Sequence, residues 1–467
     1  MRRMRLRRSF LSMNLFLLCL ALFFCACLPL KVNAAEEEVS KGSEQELELT
    51  ASLVSLASYS DELSLLARSW LIETGWHFDS HQQLTSAADG RYHLVTKELT
   101  DGHKALLLAF PGTENLRDAK VDLRTKAVPF GGTTPKEFSK IAQGDRSAEA
   151  YASYPLVHKG FDDYTMTALF QTPVAGNQEG RTMGELLADE LRLHPDEILI
   201  LTGHSLGGAA ATLTAARLSD MGVQPEQLRV ITFGAPAVGD ERFARRYEHK
   251  MQLTRVVMDG DPVAAALQSL GTRYVQFGTK ERWQQNRSSA RFEHEMVVYL
   301  DDALRSYLDL KLSGAMAGSA GNLLVGTPKR AAGEIFVAPL QIHMDPLLAE
   351  DSSYAQMMLE DSWQGKYSSC RLASATDGKS LTELCQNAQQ AGSRYVVQQV
   401  MTTQRLREEE YNFRVILENA VYDTKGNLLA AESKSTTASR MTPLEAVLYL
   451  QFLTLQDVDT VFGVQNT

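Results

Sequence analysis

Runs of consecutive apolar residues recur along the first two thirds of the chain and predict strands that are buried on both faces. Shorter segments between them have the spacing of amphipathic helices, and this alternation favours an α/β domain with a mostly parallel sheet flanked by helices. The predicted strands are 92–96, Ala105–Phe110, Ile198–Leu201, Leu228–Phe233, Leu253–Met258 and 272–277. The predicted helices are Leu47–Ile72, Met183–Leu193 and Arg291–Leu312.

The pattern changes after residue 312. Residues 313–332 are rich in Gly and Ala and are typical of a linker. Beyond them, residues 333–467 alternate strands with helices, include a long hairpin across 423–427, and end in a helix opened by Thr442, Pro443 and Glu445. We therefore predict a domain at 47–312 and a smaller α+β domain at 333–467. The second domain is interpreted as a binding or docking module, with a purely stabilising appendage as the alternative.

The first 34 residues form a separate segment. A basic start, MRRMRLRRSF, precedes an apolar stretch, and Val32-Asn33-Ala34 supplies small residues before a cleavage point. This arrangement predicts a secretory signal peptide and an exported protein, located in the periplasm, the cell envelope or the medium. Two alternatives stay open: residues 10–30 could be retained as a membrane anchor, or Cys27 could carry a lipid.

The net charge narrows the class of binding partner, and the cysteines bear on a disulfide. Without the leader the chain has 41 basic and 57 acidic residues, a formal charge of −16, which argues against nucleic acid. Cys370 and Cys385 are the cysteines that remain, and in an exported protein they predict one disulfide, with two buried thiols as the alternative. No C-x-x-C or H-E-x-x-H pattern is present, so we expect no metal.

One stretch carries the signature of a nucleophile. Gly203-His204-Ser205-Leu206-Gly207 follows an apolar run and precedes a run of small residues, Ala209 to Leu213. Strand, sharp turn and helix are the context that a G-x-S-x-G nucleophile elbow requires. Ser205 is therefore the candidate nucleophile.

Five ordered segments together resemble the class 3, or fungal-type, lipases. They are Phe110-Pro111-Gly112-Thr113, Val157-His158-Lys159-Gly160-Phe161, the elbow, 232–240 and Asp261-Pro262-Val263 with a later histidine. The resemblance covers about Leu47–Leu312 and implies an α/β-hydrolase that cleaves carboxylic esters of lipids without a cofactor. It also implies that the main-chain N–H groups of Thr113 and Leu206 form the oxyanion hole. Pro111 stands where the family usually has arginine.

A serine nucleophile needs an imidazole base and a carboxylate, which in α/β-hydrolases follow it in the order acid, then histidine. His294 matches the position of the family's base and is preferred over His249, in a charged run, and over His343, in the second domain. For the acid, Asp261 precedes Pro262-Val263 as in the family and is preferred over its neighbour Asp259 and over Asp240. His158 lies before the nucleophile in the chain and is interpreted as structural.

The family places a lid after the oxyanion segment. Here Glu114–Leu123 contains five charged residues and few large apolar ones, which predicts weak interfacial activation and a substrate more polar than bulk triglyceride. The polar segment Phe130–Tyr154 is interpreted as an insertion or mobile loop near the mouth of the site.

These observations together predict an exported serine hydrolase that acts on acylglycerol or phospholipid esters through an acyl-serine intermediate. The expected partner is the lipid substrate, with contact to an envelope or membrane surface possible. A non-catalytic envelope protein that uses a hydrolase scaffold for binding is the alternative.

Overall fold

The structure is a computed structural model that describes most of the chain. The described residues are 43–99, 102–113, 127–143, 153–175, 179–264, 274–286, 291–314, 323–324, 326–374, 380–406 and 411–464. The predicted leader with Cys27 and the membrane-anchor segment 10–30, and the predicted lid after residue 113, lie outside these ranges. Within them, no helix is both long enough and apolar enough to cross a membrane.

A seven-stranded sheet organises the first domain. Its order is β1-β2-β3-β6-β7-β8-β9; β3, β6, β7, β8 and β9 run parallel, and β1 and β2 extend one edge as an antiparallel hairpin. The predicted α/β class with a mostly parallel sheet is confirmed. The strands are β1 (His77–Leu84), β2 (Asp89–Glu98), β3 (Lys104–Phe110), β6 (Leu199–His204), β7 (Leu228–Phe233), β8 (Gln252–Met258) and β9 (Thr279–Trp283), with a separate antiparallel pair, β4 (Ala127–Pro129) and β5 (Leu156–His158).

Helices cover both faces of this sheet and bury its apolar side chains in two clusters. The helix after β6 has Gly and Ala along its first two turns, and all of these residues are buried, so it packs closely on the strands beneath it. The helices are α1 (residues 43–57), α2 (Glu62–Glu73), α3 (Pro135–Gln143), α4 (Lys159–Thr165), α5 (Met183–Leu193), α6 (Leu206–Asp220), α7 (Glu241–Tyr247) and α8 (Met296–Ser313), with a π-helical turn at Met166–Phe170.

The predicted single helix over Leu47–Ile72 is wrong, because the chain forms two helices there. Asp61 caps α2 by accepting a hydrogen bond from the main-chain N–H of Ser64, and this cap starts a new helix after a break. The break places Tyr59 outside both helices, where its side chain turns towards the end of β6.

Three other predictions in this domain need correction. The strand at 272–277 is absent from the described part of that segment, where Val275 forms a single bridge to Gly239, and the edge strand is β9 instead. The last helix begins at Met296 rather than Arg291, so His294 lies in the turn before it. The described parts of Phe130–Tyr154 include helix α3, and Phe130 and Phe138 are fully buried against the guanidinium of Arg217.

The second domain is a six-stranded sheet in which one long hairpin is the largest part. Its order is β12-β10-β13-β14-β15, with β11 also paired to β13. The last helix begins at a capping box of Thr442 and Glu445, as its sequence predicts. The elements are β10 (Ile335–Val337), β11 (Gln341–His343), α9 (Ser352–Lys366), β12 (Cys370–Leu372), α10 (Leu381–Gln390), β13 (Tyr395–Arg405), β14 (Phe413–Asp423), β15 (Leu428–Thr437) and α11 (Pro443–Val461).

The two domains share one apolar core and a buried ionic cluster. Met358, Leu417 and Leu450 of the second domain belong to the same buried cluster as the residues of α8. On α8, Arg305 donates to Asp301 one turn earlier and to Asp351 of the second domain, and Thr442 donates its hydroxyl hydrogen to Asp301. The second domain is therefore packed against the first by both apolar and charged contacts.

The predicted Cys370–Cys385 disulfide is wrong, and both thiols are free. Cys370 pairs in register with Ile335 and packs on the sheet face that α9 and α11 cover. Cys385 lies on α10 and packs with Phe336, whose side chain points to the opposite face. The sheet itself separates the two sulfur atoms, and burial raises the pKa of the Cys370 thiol to about 12.

Candidate active site

Ser205 lies at the strained turn between β6 and α6. Its φ of 55° and ψ of −120° make it the one non-glycine residue with positive φ in the described ranges. A Cβ atom on Gly203 would come within 2.4 Å of the main chain of Gly207, and one on Gly207 within 2.1 Å of the carbonyl oxygen of Phe110. Because no side chain fits at either position, the two glycines allow the sharp turn that projects the serine from the end of the strand.

Three groups that are far apart in sequence meet at this turn. Nε2 of His294 lies 3.0 Å from Oγ of Ser205, and Nδ1 of the same ring lies 2.7 Å from Oδ2 of Asp261. The imidazole and the carboxylate are completely buried. Asp261 comes from the turn after β8 and His294 from the turn before α8, so the ends of the strands and helices bring the three predicted residues together.

The carboxylate of Asp261 is held in its ionised form. Burial acts to raise its pKa, but the hydrogen bond and charge of His294 and the hydrogen bonds from the Tyr299 hydroxyl and the N–H of Val263 together outweigh burial, so the pKa lies below its usual value. An ionised carboxylate accepts the hydrogen of Nδ1, which leaves Nε2 of His294 as the acceptor that faces the serine hydroxyl.

The other candidates take different positions. Asp259 points away from the histidine and forms an ion pair with Arg282 at 2.7 Å. Asp240 caps α7 by accepting from the N–H of Phe243, which is a structural role. His249 is 89% exposed, and His343 lies on β11 in the second domain. His158 is buried at the start of α4, where Nδ1 accepts from the N–H of Phe161.

The segment predicted to supply the oxyanion hole runs beside the elbow. β3 pairs in parallel with β6, with Phe110 opposite Gly203, so residues 111–113 leave the sheet next to the serine turn. A Cβ atom on Gly112 would lie 2.8 Å from the carbonyl oxygen of His204, which shows how closely the two segments approach. Leu206 begins α6 directly after the serine, and its N–H is one of the free donors at the helix N-terminus.

The structure adds a pair of residues that the sequence did not single out. Nε2 of His204 lies 2.8 Å from the main-chain oxygen of His294, and Nδ1 lies 2.6 Å from the hydroxyl of Tyr59. Since a carbonyl oxygen only accepts, Nε2 carries the hydrogen, and Nδ1 therefore accepts from Tyr59. Burial and the neighbouring His294 lower the pKa of His204 to about 3, so its ring is neutral. The sequence offered one signal for this pair, namely that the elbow motif itself contains His204 directly before Ser205.

A cavity of about 640 Å³ adjoins these residues. Thr113, His204 and Tyr59 lie on its wall in the first domain, and the second domain contributes Thr436, Thr437, Ser439, Arg440, Met441 and Tyr449. Over the described ranges, no group of three or more His, Cys, Asp or Glu side chains is arranged to hold a metal ion. A buried serine–histidine–carboxylate chain beside an open cavity can carry out nucleophilic acyl transfer.

Residues 107–269 match the family model described as Lipase (class 3). This part of the chain is a class 3 lipase domain. The match contains the end of β3, the segment predicted to supply the oxyanion hole, the elbow and the turn that carries Asp261, and it ends before His294.

Curated relatives are similar to parts of the same region. The chain is 35% identical over 100 residues to the toxin TseL of Vibrio cholerae, which corresponds to 21% of this chain and 13% of the relative. It is 31% identical over 162 residues to the secreted mono- and diacylglycerol lipase 2 of Gibberella zeae, which corresponds to 33% of this chain and 34% of the relative. The chain thus spans about a third or less of the length of these relatives.

Solved structures include a similar chain, the lipase from Rhizopus microsporus var. chinensis. It is 18% identical, with a TM-score of 0.38, and the match covers 56% of this chain and 86% of that chain.

Proposed function

We propose that this protein is an exported serine hydrolase that cleaves carboxylic esters of lipids, acylglycerols or phospholipids, through an acyl-serine intermediate. The observation that carries the proposal is the buried chain of contacts from Asp261 through His294 to Ser205, at 2.7 and 3.0 Å, on a nucleophile elbow. The secretory leader predicted from residues 1–34 supports export.

In the first half of the proposed reaction, Oγ of Ser205 attacks the ester carbonyl carbon while Nε2 of His294 takes the hydroxyl proton. Asp261 keeps the imidazole in the required tautomer and stabilises its positive charge. The N–H groups of Thr113 and Leu206 donate to the oxygen that becomes negative in the tetrahedral intermediate. The intermediate collapses, the C–O bond to the alcohol breaks, and the alcohol leaves with the proton from His294.

In the second half, a water molecule attacks the acyl-serine carbonyl and gives its proton to Nε2 of His294. Collapse of this second tetrahedral intermediate breaks the bond to Oγ, which regains the proton from the histidine. The products are a carboxylic acid and the free enzyme, and neither half requires a metal or a redox group.

The test combines active-site labelling with turnover of short p-nitrophenyl esters, a triglyceride and a phospholipid. A fluorophosphonate probe should label the wild-type protein at one serine and leave the Ser205→Ala variant unlabelled. His294→Ala should lower kcat by several orders of magnitude, because it removes the general base. If the wild-type protein is neither labelled nor active, the result would support a non-catalytic binding role. If His294→Ala lowers kcat by less than about tenfold, His294 is excluded as the base.

A further inference from the structure

The cavity beside the active site is lined by apolar, hydroxyl-bearing and charged side chains. The first domain contributes apolar side chains such as Leu56, Leu63 and Met296 together with charged ones such as Asp61 and Glu295, and the second domain contributes Thr436, Thr437, Ser439 and Arg440 together with Met441 and Tyr449. An amphiphilic molecule matches such a mixed lining, because apolar side chains can contact its acyl part and polar side chains its head group.

The position of the cavity connects it to the proposed chemistry. Thr113, the proposed oxyanion donor, lies on its wall together with His204, whose ring centroid is 4.6 Å from that of His294. Thr113 therefore belongs both to the proposed oxyanion hole and to the wall of the cavity. The second domain forms part of the wall of this same cavity.

Hydrogen bonds hold this part of the second domain against the loop that carries the histidine. Arg291, three residues before His294, donates from Nη1 to the main-chain oxygen of Ser439 at 2.5 Å. Thr442, two residues after Arg440, donates to Asp301 on α8. Ser439 and Thr442, the two ends of the segment 439–442 of the second domain, are thus held in place relative to His294.

The charged groups around the cavity leave one cation without a described partner. Arg291 and Glu295 form an ion pair, and Oδ1 of Asp61 accepts from both the N–H and the hydroxyl of Ser64. The side chain of Arg440 is exposed, and among the residues that the structure describes no carboxylate oxygen lies within 4.0 Å of its guanidinium. A guanidinium offers several N–H donors to a phosphate, and Thr436 and Thr437 line the same cavity.

We infer that the second domain forms the head-group side of the substrate cleft and that Arg440 binds the phosphate of a phosphate-bearing lipid ester. The inference rests on the proposed function for the identity of the ligand as a lipid ester. On this inference Arg440 determines specificity, because an uncharged diacylglycerol has no phosphate for the guanidinium to bind.

Binding can be tested without turnover in the full chain carrying Ser205→Ala. Titration calorimetry with dihexanoylphosphatidylglycerol and with uncharged dihexanoylglycerol compares two ligands with the same acyl chains. Adding Arg440→Gln should weaken binding of the phospholipid about tenfold or more and leave the diacylglycerol within about twofold. Arg440→Lys, which keeps the charge, should retain part of the preference. Arg371→Gln, an exposed arginine on β12 away from the cavity, is the matched control and should change neither affinity.

Two results would overturn the inference: equal phospholipid affinity with and without Arg440→Gln, or binding of inorganic phosphate alone as tight as that of the phospholipid. The second result would indicate a site for free anions. Failure of the proposed function is a separate result, because it is measured by fluorophosphonate labelling of the wild-type serine and not by these affinities.

Discussion

The hydroxyl of Tyr59 lies 2.6 Å from Nδ1 of His204, at the break between the first two helices. His204 in turn donates to the main-chain oxygen of His294, so a residue from the start of the domain supports the backbone of the proposed base. Because His204 is neutral and its tautomer is set by these two contacts, the pair positions the histidine without exchanging protons with it.

Tyr59→Phe removes the donor to Nδ1 of His204 and leaves a buried acceptor without its partner. We expect kcat for p-nitrophenyl butyrate to fall about tenfold with little change in KM, because the base is held less firmly while the substrate contacts remain. Tyr422→Phe, in the second domain, is the control and should leave both constants unchanged. A change confined to KM would argue for a role in substrate binding instead.

The two aspartates after β8 offer a matched pair. Asp261→Asn should lower kcat roughly 10³–10⁴-fold, because an amide at this position no longer fixes the tautomer of His294 or stabilises its charge. Asp259→Asn should leave kcat within about twofold, since Asp259 is paired with Arg282 and not with the histidine. Steady-state kinetics of both variants on one soluble ester decides which aspartate orients His294. A larger loss of kcat in Asp259→Asn than in Asp261→Asn would assign the role to Asp259.

Asp302 gives a prediction about pH and stability. Burial, together with the charge of Asp301, raises its pKa from 3.8 to about 7. Since the unfolded chain releases this proton near pH 4 and the folded protein near pH 7, Asp302 lowers the stability of the fold increasingly across that window and fully above it.

Asp302→Asn should therefore stabilise the protein by about 1–3 kcal/mol at pH 8 and by little at pH 4, as measured by urea unfolding at both values. Asp196→Asn, in an exposed turn, is the control and should have no such pH-dependent effect. An equal gain in the free energy of unfolding at both pH values would contradict a raised pKa of Asp302.

Arg305 lies between Asp301 and Asp351 at the contact of the two domains, and all three side chains are buried. Arg305→Met leaves two buried carboxylates without their cation, and we expect a loss of about 3–5 kcal/mol in the free energy of unfolding. Arg245→Met removes an exposed ion pair with Glu241 and should cost about 0.5 kcal/mol or less. Equal losses in urea titrations of the two variants would show that the cluster does not hold the domains.

The sequence by itself determined the domain class, the family and the serine turn. Apolar runs separated by helical segments specify a parallel sheet because strands buried on both faces need continuous apolar residues. Gly203 and Gly207 around Ser205 specify the elbow because any side chain there collides with the main chain. Both constraints act between residues that are close together in the chain, so the sequence alone reveals them.

Only the tertiary structure decided which groups meet. The choice between Asp261 and Asp259 depends on the direction of each side chain at a turn, and the Tyr59–His204 contact joins segments 145 residues apart. The cysteines are free because Cys370 packs on one face of the second sheet and Cys385, on helix α10, packs on the other. The second domain's part of the cavity wall follows from the packing of one domain on another. Each of these depends on distances between remote segments, which composition and spacing do not contain.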